Sequence, residues 1–295
     1  MLIVRSESRD VYRNLAVEEW LLDHAPHLSV LLLYVNDPCV VIGKNQNPWR
    51  ECRLSLMEKE GVKLARRISG GGAVYHDAGN LNVSIIVPRT EYVEQKQYDL
   101  IFQTLEATEL RHRKLCKLGR SSLSIDGKKF SGQAFCHRRA RTLHHGTQLI
   151  NCDLTRLGRY LGPEIAGIET RAIASVPAKV MNLSAAAPRL TVDSLSVALM
   201  ETFKAMYGLR PGGAYAPEGS QGVLECWSDG DIPEDELLPI IGRNSSKGWK
   251  LEHTPRFDIV VNGEPCTVEK GRVTHLAGNP LFEEWRVDQR GRDSF

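Results

Sequence analysis

The sequence predicts an α+β fold, a mixed β-sheet flanked by helices, and three observations carry that expectation. Strand-like and helix-like runs are interspersed along the chain without strict βαβ alternation. Short turn signals separate several β-rich runs, which marks hairpins rather than a doubly wound parallel sheet. The 295 residues are 42% hydrophobic and 25% charged, ordinary usage for a globular chain long enough to bury a core without disulfides or a structural metal. At roughly 150 residues per domain, that length sets a prior of about two domains.

From the N-terminus, Asn14 to His24 spaces Leu15, Leu21 and Leu22 near one face, so an amphipathic helix is expected with Asn14 as its cap. Val30–Val35 and Val40–Ile42 read as short strands, with Asn36-Asp37-Pro38 between them as a hairpin-like turn. Leu54 to Lys59 fits a helix stopped by Gly61. Val62–Arg66 and Leu81–Val87 read as strands on either side of a glycine-rich loop, and Tyr98 to Leu118 keeps helical spacing throughout. Asp126-Gly127 between Leu123–Ile125 and Lys129–Phe130 is the strongest hairpin signal in the chain. Thr147–Asn151 reads as a strand, and Val192–Met206 as a helix capped by Thr191 and stopped by Gly208. Ala214 to Gly248 is rich in Gly, Pro, Ser and acids and is expected to be loop-dominated. After Thr254-Pro255, Phe257–Val261 and Cys266–Val268 are expected to be strands joined through Asn262-Gly263. Val287 to Phe295 is expected to fray.

Composition limits the partners. Lys and Arg (38) against Asp and Glu (36) leave a net charge of +2, so no global field marks a binder of nucleic acid or membranes. The longest apolar run, Val30 to Val35, is too short for a bilayer, and the first twenty residues show neither a leader nor a transit pattern. Seven cysteines are scattered with no CxxC pair, against a disulfide framework or a zinc site. A cytoplasmic protein with reduced thiols is the expectation.

The most informative stretch is Arg66-Arg67-Ile68-Ser69-Gly70-Gly71-Gly72-Ala73-Val74-Tyr75-His76-Asp77-Ala78-Gly79-Asn80. Three successive glycines after a strand let the backbone approach a ligand and turn N–H groups toward an anion, and Arg67 supplies a fork of donors beside them. The loop is neither a Walker sequence nor GxGxxG. A plain tight turn is the alternative; the flanking arginines, His76, Asp77 and Asn80 favour anion binding.

This segment closely resembles the signature of the lipoate–protein ligases and related lipoyltransferases. The likeness continues in NLAVEEWLL and VNDPCVVIGKNQNPWREC upstream, and in IDGKKFSGQAF, HHGTQLIN and RAIASVPAKVMNL downstream, and covers residues from about 12 to 275. It implies a class II synthetase-like mixed sheet in a catalytic domain, 1–248. A small, shortened C-terminal accessory domain, 254–295, would follow. It also implies a two-step reaction: ATP and lipoate give lipoyl-adenylate and pyrophosphate, and the acyl group then passes to a lysine ε-amine of a lipoyl domain. A dehydrogenase E2, the glycine-cleavage H protein or a similar carrier is the implied acceptor. Lipoate is the substrate, and the enzyme is expected to be a monomer.

By that resemblance Lys129 is the active-site lysine, bridging the lipoate carboxylate and the α-phosphate and later polarising the acyl carbonyl. On a strand, Lys128 and Lys129 point to opposite faces, so one serves. Arg67 and the backbone of Gly71, Gly72, Ala73, Val74 and Tyr75 are implied as nucleotide and phosphate contacts. His76, Asn80 and His145 are implied around the acyl-adenylate, and Val41 and Gly43, with Arg67, His76 and Lys129, around lipoate. Magnesium is expected with ATP, but Gly119-Arg120 is followed by Ser121-Ser122 where the family often has Asn-Asp, so its ligands are unassigned. The competing expectations are a transferase using preformed lipoyl-adenylate, or a lipoyl- or octanoyl-transferase working through a Cys116 acyl-enzyme. A non-catalytic lipoate carrier or a nucleic-acid-binding relative is a third, disfavoured by the intact RRISGGG and Lys129 elements. A biotin ligase is disfavoured because its GRGR-type loop is missing.

Overall fold

A computed structural model describes residues 1–25, 29–208, 224–261, 263–276 and 285–286. It is a mixed α+β structure with one large mixed sheet flanked by helices and a small C-terminal sheet. The chain forms two compact units, one of residues 1–36, 78–152 and 178–237, the other of 37–77, 153–177 and 238–295.

In chain order the elements are strand β1 (Leu2–Arg5), helix α1 (Val11–His24), β2 (Val30–Tyr34), β3 (Cys39–Ile42), α2 (Pro48–Glu51) and α3 (Leu54–Lys59). Next come β4 (Lys63–Arg66), β5 (Val74–His76), β6 (Asn80–Pro88), α4 (Glu94–Glu106), β7 (Leu115–Leu118) and β8 (Ser122–Ile125). Then follow β9 (Lys128–His137), β10 (Arg141–Leu149), α5 (Leu154–Tyr160), β11 (Glu169–Thr170), α6 (Val192–Tyr207), β12 (Glu225–Ser228) and α7 (Glu234–Ser245). Strands β13 (Phe257–Val261), β14 (Glu264–Glu269), β15 (Arg272–Leu276) and β16 (Trp285–Arg286) close the order.

The first unit holds the eight-stranded sheet, ordered β12-β1-β2-β6-β10-β9-β8-β7. β1 runs parallel to β2 and β12, and β2 through β7 are joined antiparallel. Alternation sets its two faces. Leu81, Val83, Ile85 and Val87 of β6 join Leu31, Leu33, Leu123 and Phe130 in a core that Tyr98, Leu100 and Ile101 of α4 and Leu195, Leu199 and Phe203 of α6 complete. The opposite face carries polar residues and receives α1. In the second unit β4-β3-β5 and β11-β13-β14-β15-β16 are separate small sheets, and a core runs from Val40, Ile42, Trp49 and Tyr75 to Phe257, Ile259 and Val268.

Several expected elements stand. The β8–β9 hairpin turns at Asp126 and Gly127, both at positive φ (51° and 77°), the geometry its two-residue turn needs. Thr191 caps α6 through a capping box with Ser194, and Gly208 ends it. Others are corrected. α1 starts at Val11, capped by Asp10, whose carboxylate accepts from Tyr12 N and Arg13 N; Asn14 is buried and donates to Ser8 O and Asn36 Oδ1. Asn36-Asp37-Pro38 closes no hairpin, because β2 and β3 enter different sheets. The helix expected to Leu118 ends at Glu106, and β7 pairs with β8 instead. Thr108 Oγ1 donates to Leu105 O and accepts from Leu110 N, the local competition that unwinds a helix end. The stretch expected as loop holds β12 and α7, whose first turn is acidic (Glu234, Asp235, Glu236), a helix-start signal. Residues 209–223 and the tail expected to fray lie outside the described residues, as does Asn262.

Candidate functional site

The second unit carries the glycine-rich loop, which leaves β4 at Arg66 and returns as β5. β3 is the central strand, parallel to β4 and antiparallel to β5. Directly opposed residues share a face, so the registers Val41↔Val74 and Cys39↔His76 put these four on one face, with Gly43 in phase. Tyr75 opposes Val40 on the other face and packs on Tyr160, centroids 5.7 Å apart. Of the expected nucleotide residues, Tyr75 therefore offers its backbone alone.

The loop's carbonyls are all turned inward. Arg67, buried, donates from Nη2 to Gly70 O and Gly72 O and from Nη1 to Val41 O, while its Nε reaches Ser69 Oγ at 3.0 Å. Gly71, at φ 86°, aims its carbonyl at Gly43: a Cβ added to Gly43 would stand 2.2 Å from that oxygen. Ser175 Oγ accepts from Ala73 N at 2.9 Å and from Gln46 Nε2 at 3.1 Å, and Gln46 Oε1 accepts from Gly43 N. With the carbonyls committed, the N–H groups of Gly70, Gly71 and Gly72 have no protein acceptor among the described residues. Successive outward N–H groups of this kind make an anion-binding concavity. Arg67 thus builds the loop rather than projecting from it.

Arg66, the neighbour, is 1% exposed and fully used. Nη1 donates to Gly43 O, Lys44 O and Gln46 O, Nη2 to Lys250 O and Thr254 Oγ1, and Nε to Trp249 O. Burial pulls its pKa down to about 10, still charged at neutral pH. Asp77 Oδ2 accepts from Asp153 N at 2.9 Å, a loop-holding contact.

In the first unit Lys129 and His145 lie on the polar face of the large sheet. The registers His145↔Ser84, Thr147↔Asn82 and Leu149↔Asn80, with His145↔Ala134, place these side chains on that face. Lys129 reaches it through a β-bulge. Leu123 opposes Ser131 while Ser124 opposes Lys129, so β9 spends one extra residue, Phe130, which is buried in the apolar core beside Leu123. The bulge puts Lys129 and Gly132 on one face, where Lys129 Nζ would lie 3.2 Å from a Cβ at Gly132. Gly132 N donates to Thr147 Oγ1 at 3.2 Å. Lys129 is half-buried and Lys128 exposed. Its backbone is fixed on both sides: Lys129 N donates to Lys179 O, and Lys129 O accepts from Met181 N. Asn80 Nδ2 donates to Asn82 Oδ1 at 3.1 Å.

His145 Nδ1 lies 2.8 Å from Glu18 Oε2, both buried. His144 points to the opposite face, with Nε2 3.0 Å from Gln133 Oε1 and Nδ1 3.3 Å from Tyr92 Oη. Burial, then the charges of His145 and Lys117, push its pKa down to about 3, so it is a neutral packing residue. Glu18, Arg66, Ser175 and the Phe130 bulge are what sequence reasoning missed: each stood in one of the resembling segments, but none was singled out for a role. Cys116, expected near a helix end, is on β7, half-buried, with Sγ 3.2 Å from Ser124 Oγ. Among the described residues no three His, Cys, Asp or Glu side chains are grouped to hold a metal. No helix among them is long and apolar enough to cross a membrane.

The first unit is thus a mixed sheet with a lysine on its polar face, and the second carries a glycine loop whose amides have no protein acceptor among the described residues. Residues 10–204, more than half of the chain, match the family model described as the lipoyl protein ligase A/B catalytic domain, and the chain belongs to that family. It is 40% identical over 207 residues to a lipoate-protein ligase A of Bdellovibrio bacteriovorus, covering 68% of this chain and 60% of that protein. To the mitochondrial lipoyl amidotransferase of Mus musculus it is 37% identical over 267 residues, 88% of this chain and 67% of that one. The chain thus spans about three fifths to two thirds of the length of these relatives. Among solved structures, P. falciparum LipL1 in complex with lipoate matches with a TM-score of 0.70 at 26% identity, covering 92% of this chain and 82% of that one.

Proposed function

We propose that this protein is a lipoate–protein ligase that activates lipoate with ATP and passes the lipoyl group to a lysine of an acceptor lipoyl domain. One observation carries the reading: the Gly70–Gly72 amides have no protein acceptor among the described residues, while Arg67 binds the Gly70 and Gly72 carbonyls and the Gly71 carbonyl lies against Gly43. A row of fixed N–H donors suits the phosphates of a nucleotide and costs no reorganisation when charge develops. The lipoate-bound LipL1 structure and the ligase likeness support lipoate as substrate.

In this reading Gly71, Gly72, Ala73, Val74 and Tyr75 contribute backbone to the nucleotide, and Arg67 holds them in place. Val41 and Gly43, on the face shared with Val74 and His76, border the aliphatic chain, which needs an apolar wall. Lys129 meets the carboxylate and α-phosphate, offsetting two approaching anions, and afterwards the carbonyl oxygen as negative charge builds on it. Asn80 and His145 lie on the same sheet face as Lys129 and handle the acyl end. Magnesium accompanies ATP as part of the substrate, and no step is assigned to a protein-held metal. Residues 1–248 form the catalytic part and 254–295 a small accessory part. The protein acts as a monomer in a reducing compartment, the cytoplasm, on a carrier such as a dehydrogenase E2 domain or H protein.

Pyrophosphate release tests the reading. ATP and lipoate together are expected to yield pyrophosphate, and neither alone. The likeness to the mouse amidotransferase favours a second reading, transfer from ready-made lipoyl-adenylate. No pyrophosphate, with an acceptor nevertheless modified from lipoyl-adenylate, would select it. The cysteine acyl-enzyme reading requires Cys116→Ser to abolish that modification.

A further inference from the structure

Glu18 sits on α1, whose buried positions include Asn14 and Glu19 beside the apolar Leu15, Leu21 and Leu22, and is 0% exposed. Its Oε2 accepts from Ser84 Oγ at 2.6 Å and from Tyr34 Oη at 3.4 Å, and stands 2.8 Å from His145 Nδ1. Oε1 has no hydrogen-bond partner among the described residues. A buried carboxylate with an oxygen left over is costly, and an apolar side chain of similar volume would fill the space at less expense. Packing alone gives no reason for a glutamate at this position.

The chemistry of the pair gives one. A carboxylate only accepts, so His145 Nδ1 carries the hydrogen, and in the neutral imidazole Nε2 is the acceptor. The ring is thereby fixed in tautomer and in orientation on the face that bears Thr147 and Lys129, over a floor of two small residues, Gly132 and Ala134. Acyl transfer to an amine needs such an acceptor. When the amine nitrogen bonds to the acyl carbon, the carbon–oxygen bond to phosphate breaks, AMP leaves with the electron pair, and the nitrogen must shed a proton. Lys129, used as a cation, offers donors only.

We propose that Glu18 is a positioning residue that holds His145 as the Nδ1–H tautomer, so that its Nε2 takes the proton shed by the attacking lysine amine. This rests on the proposed lipoyl transfer and adds the residues that manage its proton.

The test is single-turnover transfer from preformed lipoyl-adenylate to a purified lipoyl domain, with wild type, Glu18→Gln, His145→Gln and the double variant. Glu18→Gln is expected to slow transfer about 100-fold, the range of a general base lost or mis-tautomerised. Its affinity for lipoyl-adenylate is expected to stay within threefold, and its melting temperature at or above that of wild type. In the His145→Gln background, Glu18→Gln is expected to add less than twofold, because the two act as one unit. Transfer by Glu18→Gln within threefold of wild type, multiplying effects in the double variant, or a fall in melting temperature with loss of adenylate binding would each overturn the proposal. A wild-type chain that transfers nothing, though it binds lipoyl-adenylate, would instead overturn the parent reading and carry this one with it.

Discussion

Lys129 lies back over Gly132, so closely that a Cβ at Gly132 would stand 3.2 Å from the ammonium nitrogen and 3.4 Å from Cε. The glycine is the room in which the lysine head rests, and the extra residue at Phe130 is what brings the two to one face. Gly132→Ala must push the flexible end of Lys129 aside. We expect folding stability to change by about 0.5 kcal/mol or less, as for a substitution that displaces only a side-chain tip. Lipoyl transfer should fall at least about tenfold, because small misplacements of a charge-stabilising group are expensive. Urea unfolding and transfer kinetics on the same preparation read both numbers.

Gly43→Ala tests the glycine loop. Its Cβ would meet Gly71 O at 2.2 Å, a backbone atom that cannot swing away. The loop must shift, and with it the Gly70–Gly72 amides. ATP affinity measured by calorimetry is expected to weaken at least about tenfold, roughly 1.4 kcal/mol, while circular dichroism stays that of wild type. Unchanged ATP affinity would remove the loop from nucleotide binding.

Arg66 tests what holds the loop's root. Its guanidinium serves six oxygens, from Gly43, Lys44, Gln46, Trp249, Lys250 and Thr254. Arg66→Met leaves buried carbonyls unsatisfied, each costing about 1–3 kcal/mol. A loss of about 3 kcal/mol or more in urea unfolding is expected. Arg66→Lys, with three donors in place of five, is expected to recover only part of it.

His144 predicts an acid limb in stability. Its pKa is held down to about 3 in the folded chain, against 6.5 when unfolded. Below 6.5 the unfolded state takes up a proton that the folded state refuses, so stability falls as pH drops from 6.5 toward 3. Its contribution to the slope is about 1.4 kcal/mol per pH unit. His253, also lowered by burial, contributes in the same sense. The difference between wild type and His144→Gln isolates His144. The variant is expected to be less stable at pH 7 but to lose less between pH 6.5 and 5, and parallel curves would refute the assignment.

Where local chemistry decided the outcome, the sequence was readable. Asp126-Gly127 forms its turn and Thr191 caps α6 because the deciding residues are adjacent in the chain. Where pairing partners decided, it was not. Leu110, Leu115 and Leu118 keep helical spacing, but β7 is a strand because β8 lies beside it. Nothing in Lys128-Lys129-Phe130-Ser131-Gly132 reveals that Phe130 and Ser131 share a face; the register of β8 against β9 and the burial of Phe130 decide it. The motif Arg66-Arg67 was legible as important but not as architectural, since side-chain direction depends on which carbonyls come near. Glu18 stood in the resembling segment NLAVEEWLL, but its burial was not legible there because a glutamate on an amphipathic helix ordinarily faces water.

The most direct measurement is the intact mass of a lipoyl domain incubated with lipoyl-adenylate and either wild type or Lys129→Met. One added lipoyl group with wild type, and none with the variant although it unfolds at the wild-type temperature, is the result the account requires. Lipoylation by Lys129→Met at the wild-type rate would contradict it and take the acyl chemistry away from the polar face of the sheet.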